Sequence, residues 1–250
     1  MISRENLQDL YPLGPLQEGM LFQWLLSPDD GTYVEQMTYR AAGRFDVARF
    51  EAAWNELARR HDVLRTVFVH EKAKVPLQMV LKSVAVPMRS EDLRALSVHA
   101  QTEWVEEFRR RERLRGFDLA RELPYRLAIV QLADESFKVV WTFHHIIVDG
   151  WSVELLLADL RRIYCAVDDS DVGHREVQVP YSRYIQWLLE RDSDASRQFW
   201  RARLDGFTGP SSIPSSLVNS SPRTTEYVAK ISEFAFDEAA SRGLSKLALD

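Results

Sequence analysis

The chain has 250 residues, 46% of them hydrophobic, 11% aromatic and 28% charged, which is enough for one large domain or two modest ones around a substantial core. Its formal net charge of -5 disfavours nucleic acid as a general partner, because phosphate binding needs a basic surface. The single cysteine, Cys165, excludes an internal disulfide and any multi-cysteine zinc site. No apolar run approaches the roughly 20 residues that span a bilayer. The opening MISRENLQDL has neither the basic nor the apolar region of a secretory signal. The expectation is a soluble, cytoplasmic protein with no membrane partner.

Val47, Phe50, Trp54 and Leu57 recur at helical spacing, so Asp46 to His61 reads as a helix with Asp46 as its N-cap. Val63 to His70, rich in Val, Phe and Thr, reads as a strand. Residues 99 to 115 form a charged amphipathic helix with Trp104, Val105 and Phe108 as apolar points. Its arginines (Arg109, Arg110, Arg111, Arg113, Arg115) invite a nucleic-acid reading. Yet Glu103, Glu106, Glu107 and Glu112 stand at spacings that pair with them, which makes this a solvated face. Two strands follow, Tyr125 to Leu132 and Phe137 to His144. The short polar link Ala133-Asp134-Glu135-Ser136 suits a hairpin.

Beyond Asp149-Gly150 a helix is expected from about Trp151 to Ala166, with Ser152 as N-cap and Leu156, Leu160, Ile163 and Tyr164 as its buried stripe. Asp168 to Gly173 is a polar break and a candidate boundary between lobes. Another helical region covers roughly Tyr181 to Leu204, and Gly209 to Thr225 reads as an irregular connection. A strand from Tyr227 to Phe236 and a helix opening at Asp237 complete the series. The helix runs on to Asp250 without a closing glycine. This order of elements implies a mixed α/β or α+β layer fold.

One cluster is dense in chemistry: Phe143-His144-His145-Ile146-Ile147-Val148-Asp149-Gly150-Trp151-Ser152. It stands at the exit of an apolar strand, where neighbouring side chains point to opposite faces. His144 and His145 therefore cannot share one small ligand: one should face a cavity and the other enter the structure. The β-branched Ile-Ile-Val run disfavours a helical HxxxD metal site, so no metal is expected. Asp149 beside Gly150 suggests a tight turn whose carboxylate holds backbone donors or an arginine. A strand-end core histidine beside an ordinary Asp-Gly turn is the plain alternative.

His144-His145-x-x-x-Asp149-Gly150 resembles the HHxxxDG motif of nonribosomal peptide synthetase condensation domains. Arg60-His61-Asp62-Val63-Leu64-Arg65-Thr66-Val67-Phe68 is similar to that family's RHExLRTxF motif, with Asp62 for Glu. Tyr11 to Phe22 resembles its first motif. Tyr181 to Trp187 resembles the next one, although Arg183 stands where the family usually has Asp. The four matches occur in family order over residues 11 to 187.

The resemblance implies a chloramphenicol-acetyltransferase-like sandwich of two lobes around a cleft. The first lobe would be complete over residues 1–172. Residues 173–250 would hold the crossover and a truncated start of the second lobe, so that this piece alone would be inactive. The implied reaction joins a carrier-bound peptidyl or aminoacyl thioester to the amine of a second carrier-bound aminoacyl thioester. His145 would direct the acceptor amine, as general base or as a positioning group, since imidazole titrates near cellular pH. The Gly150 N–H would stabilise the oxyanion. His144, Asp149 and Ser152 would be structural members of the motif, with Asp149 pairing to Arg65.

The implied partners are upstream and downstream carrier domains, which bring phosphopantetheine with them, so no cofactor is bound by the chain itself. The missing second lobe and a downstream adenylation domain would complete the machine. Pro15 to Phe22 is similar to condensation domains that follow an epimerization domain and take a D-configured donor. Ile2 to Tyr11 resembles a communication segment that receives an upstream synthetase subunit ending in an epimerization domain. Two other functions fit the same fold: a stand-alone acyltransferase using an acyl thioester, and a non-catalytic lobe that docks a carrier.

Overall fold

A computed structural model describes residues 5–27, 31–71, 73–166, 179–209 and 235–248. The polar break expected at Asp168 to Gly173 lies outside the described residues, as do nearly all of the connection at 209–225 and of the strand at 227–236. The chain divides into two compact units, Met1–Trp200 and Arg201–Asp250.

The first unit contains two sheets. The smaller is antiparallel, in the order β1 (Leu7–Pro12), β4 (Leu77–Leu81), β3 (Thr66–Val69). The larger runs β2 (Val34–Ala42), β7 (Ser136–His144), β6 (Tyr125–Ala133), β5 (Met88–Asp92). All its pairings are antiparallel except β5 with β6. A parallel pair needs a crossover, and α3 (Val98–Arg115) supplies it. The other helices of this unit are α1 (Pro15–Leu26), α2 (Val47–Arg60), α4 (Gly150–Cys165), α5 (Tyr181–Leu189) and most of α6 (Ser193–Arg203).

Strand periodicity sorts the core into two layers. Leu127 and Ile129 of β6 and Val139, Trp141 and Phe143 of β7 cluster with Trp54 and Leu57 of α2 and Val153, Leu156 and Leu160 of α4. The alternate residues Ala128 and Val140 meet Phe108 of α3 on the other face, and Val130 meets Val105. The sheet is thus covered on both sides, which is why β6 is buried without a break from Tyr125 to Val130. Each large side chain so buried contributes about 1.5–3 kcal/mol. Gly116, at φ 60°, ends α3 in a conformation that a side chain resists.

On α3, Arg109 pairs with Glu106 and Arg110 with Glu107 as expected, whereas Glu112 pairs instead with Arg126 of β6 and Glu103 with His99. The hairpin at 133–136 is also as expected, with Ala133 opposite Ser136. Two expected elements are corrected. Asp62–Arg65 is a single 3-10 turn, so the strand after α2 begins only at Thr66. The helix expected over 181–204 is two helices, interrupted at Glu190–Asp192. Leu7–Leu10, for which no element was expected, begin strand β1, from the pair Leu7–Leu81 onward.

Helix α5 packs beside β1: Ile185 is buried in a cluster with Tyr11 and Val80, and the Tyr11 and Tyr181 rings lie 6.3 Å apart. The second unit contains α7 (Glu238–Leu247), capped by Asp237, whose carboxylate accepts the Ala240 N–H at 2.8 Å. Among the described residues no helix is long and apolar enough to cross a membrane.

Candidate active site

Strand β7 delivers the histidines to the edge of the core. His144 is its last residue, paired with Val34 of β2; residues 145–147 turn, and α4 begins at Gly150. The two histidines differ in burial, His144 ending the strand and His145 beginning the turn. His144 is fully buried, at 0% exposure, whereas His145 is partly exposed.

The two rings have different tasks. His144 Nδ1 accepts the Ile146 N–H at 3.1 Å, which fixes the tautomer with its proton on Nε2. Burial, and secondarily the nearby His145, push its pKa down to about 4, so the ring is neutral at cellular pH. His145 is held through its backbone, whose N–H donates to the Tyr33 carbonyl at 2.8 Å. Its Nδ1 is buried without a partner, so Nε2 is the ring nitrogen left to face outward. Tyr33 adopts φ 64°, the left-handed region that side chains resist. No sequence signal marked it, yet its carbonyl anchors His145.

The neutral state of His144 carries a stability consequence. A histidine whose folded pKa lies below its unfolded value takes up its proton more readily in the unfolded chain. This contribution is complete above about pH 6.5 and is lost as pH falls towards about 4. Over that window it amounts to roughly 3 kcal/mol. In His144→Asn an amide oxygen can still accept the Ile146 N–H, but nothing titrates. Urea unfolding at pH 7 and pH 4.5 should show the wild type losing more stability than this variant. Equal losses would contradict the buried neutral ring.

Asp149 caps α4 and Ser152 does not, contrary to expectation. The Asp149 carboxylate accepts the Ser152 N–H at 2.8 Å and the Ser152 hydroxyl at 2.6 Å. These bonds hold its pKa below the ordinary carboxylate value. A helix start leaves N–H groups unpaired, and Asp149 is the acceptor nearest to them. The expected pair between Asp149 and Arg65 is not formed. Arg65, 4% exposed, donates to Asp62 at 2.6 Å, Ala58 O at 2.7 Å, Gln8 at 2.7 Å and the Leu81 carbonyl. It ties the end of α2 to β1 and β4.

Gly150 is exposed, and a Cβ added there would meet no atom within 4 Å. The fold itself therefore does not require a glycine here. Trp151 beside it is 81% exposed. Among the described residues no group of three or more His, Cys, Asp or Glu could hold a metal ion. The site thus offers an outward imidazole nitrogen beside the start of a helix, on a turn fixed from several sides. It can take or orient the proton of an incoming amine or alcohol.

The family model for the condensation domain matches residues 7–250. Surfactin synthase subunit 3 of Bacillus subtilis (strain 168) is 37% identical over 246 residues, covering 98% of this chain and 19% of that protein. Tyrocidine synthase 2 of Brevibacillus parabrevis is 35% identical over 214 residues, covering 86% of this chain and 6% of that protein. The chain thus spans less than a fifth of the length of these curated relatives. The starter condensation domain of the rhizomide synthetase RzmA superposes with a TM-score of 0.70 at 18% identity, over 81% of this chain and 50% of that one. The fold is therefore the mixed α/β, chloramphenicol-acetyltransferase-like one of solved condensation domains, and the chain belongs to the condensation-domain family.

Proposed function

We propose that this chain contributes the histidine-bearing lobe to peptide-bond formation in nonribosomal peptide synthesis. The donor is a peptidyl or aminoacyl thioester and the acceptor is the amine of an aminoacyl thioester, each presented by a carrier domain on phosphopantetheine. The amine nitrogen attacks the donor carbonyl, the C–N bond forms, the C–S bond breaks, and the donor thiol leaves with a proton. The observation that carries this reading is the division between the two histidines. One gives its Nδ1 to the backbone and is neutral, its Nε2 unpaired but shut away from solvent, and the other keeps Nε2 open. A thioester is already activated, so an enzyme that orients the amine needs no covalent nucleophile.

In this reading Gly150 lets the donor carbonyl approach the start of α4, with its N–H turned to the developing oxyanion. Asp149 and Ser152 hold that helix start in place. Residues 1–172 form the first lobe and residues 173–250 lead into a second. The likeness of Pro15 to Phe22 to D-donor condensation domains supports a donor that ends in a D-residue, delivered by a synthetase subunit ending in an epimerization domain. The test uses the complete condensation domain containing this chain, with carriers loaded with donors ending in a D- or an L-residue. Amide product with the D-ended donor, formed faster than with its L-epimer, is expected. Preference for the L-ended donor would remove the subtype assignment, and no amide from either donor would remove the reaction itself.

A further inference from the structure

Beneath the His145 turn lie two buried amides, Gln17 of α1 and Gln78 of β4, at 8% and 1% exposure. Gln17 Nε2 donates to the Ile146 carbonyl at 3.0 Å and to Gln78 Oε1 at 3.1 Å. Gln17 Oε1 accepts from the Gly14 N–H at 2.9 Å and from Gln78 Nε2 at 2.9 Å. Gln78 Nε2 donates in addition to the Pro12 carbonyl at 3.1 Å. Gln17 thus uses both donors and both acceptor sites, an uncommon degree of saturation for a buried amide. Its one partner outside the Pro12–Gln17 turn and β4 is the carbonyl of Ile146, the residue after His145.

Ile146 is held through both of its backbone groups, which belong to the two peptides on either side of its Cα. His144 Nδ1 takes the Ile146 N–H and Gln17 takes the Ile146 carbonyl, while the His145 N–H is bonded to Tyr33. The backbone from His145 to Ile147 is therefore tied down on both sides of Ile146, and this places the Cα from which the His145 ring projects. Resting on the reading of His145 as the histidine that meets the amine, we propose that Gln17 is a positioning residue for this reaction, braced by Gln78, which sets the aim of His145 through the Ile146 carbonyl. Loss of this donor leaves a buried carbonyl unpaired and frees the turn. Misplacement of a reacting group by about 1 Å can cost of order 100-fold in rate.

The test compares three variants in the complete condensation domain with loaded carriers. Gln17→Leu removes the donor. Gln17→Glu keeps the shape, but when ionised it can only accept. Gln101→Leu is the control: Gln101 is a buried amide of α3 bonded to the Leu93 and Leu132 carbonyls, so its loss disturbs the fold without touching the turn. Both Gln17 variants are expected to lower kcat by roughly 10- to 100-fold with the acceptor KM unchanged. The Ile146 carbonyl 13C resonance should move upfield as its hydrogen bond is lost. Gln101→Leu should lose thermal stability and keep kcat.

If Gln17→Leu fails to fold, Gln17→Glu decides. A folded Gln17→Glu protein with wild-type kcat and an unmoved Ile146 resonance overturns the proposal. The underlying reading fails separately: His145→Ala would then keep its rate. A rate that is lost in His145→Ala but intact in both Gln17 variants refutes the positioning role alone.

Discussion

Arg65→Ala should destabilise the first compact unit by about 3–5 kcal/mol, the cost of removing one member of a buried charged network. That is a large share of the roughly 5–15 kcal/mol by which domains are stable. The guanidinium satisfies the carboxylate of Asp62 and the carbonyls of Ala58 and Leu81 from one buried position. Its removal leaves these acceptors without their donor, in a place that water does not readily enter. Arg65→Lys should rescue little, because one ammonium cannot span partners that a planar fork reaches in several directions. Urea unfolding measures both. The double variant Arg65→Ala/Asp149→Ala should show additive losses, since the two residues share no partner. A coupling above about 1 kcal/mol would restore the pair expected from the motif resemblance.

His145→Ala should lower the single-turnover rate of amide formation by roughly 100- to 10,000-fold, the range that a positioned proton-handling group contributes. Its stability cost should be small, because His145 makes its hydrogen bond through the backbone and its ring has no partner. His144→Ala inverts the pattern. It strips the acceptor from the buried Ile146 N–H, at about 1–3 kcal/mol for the unpaired group, and affects the rate only through the turn. Two adjacent histidines thus fail in different ways. One variant loses rate at little cost in stability; the other loses stability and, through the loosened turn, part of the rate.

Much of this was legible in the sequence, and for a physical reason. The apolar run before the histidines places the pair at a strand exit, where His144 ends the strand and His145 begins the turn. The helices α2, α3 and α4 announce themselves by apolar spacing, and Asp46 by its capping chemistry. The parts that were not legible depend on contacts remote in sequence. β1, β4 and β5 are five or six residues long and mostly too polar to alternate cleanly; pairing across the sheet, rather than their own pattern, makes them strands. Gln17 reaches a carbonyl 129 residues away, and nothing local to either end records this.

Arg65 and Asp149 show the same limit from the other side. A motif resemblance brought both residues into one picture and suggested that they pair. Local competition decides otherwise: Asp149 stands next to the unpaired N–H groups of α4, and Arg65 stands three residues from Asp62. The nearer partner wins in each case. In the same way Ser152, a good capping residue by type, lies three positions inside the helix and becomes the group that is capped.

The most direct test of the account is rapid-quench amide formation in the complete condensation domain containing this chain, with donor and acceptor carriers loaded to the same extent. Wild type is compared with His145→Ala, and circular dichroism and thermal melts establish that both are folded. Wild type should give dipeptidyl product on the acceptor carrier. The folded variant should leave the donor thioester intact, with product slowed by roughly 100-fold or more. A folded His145→Ala protein that forms the amide at close to the wild-type rate would contradict the account.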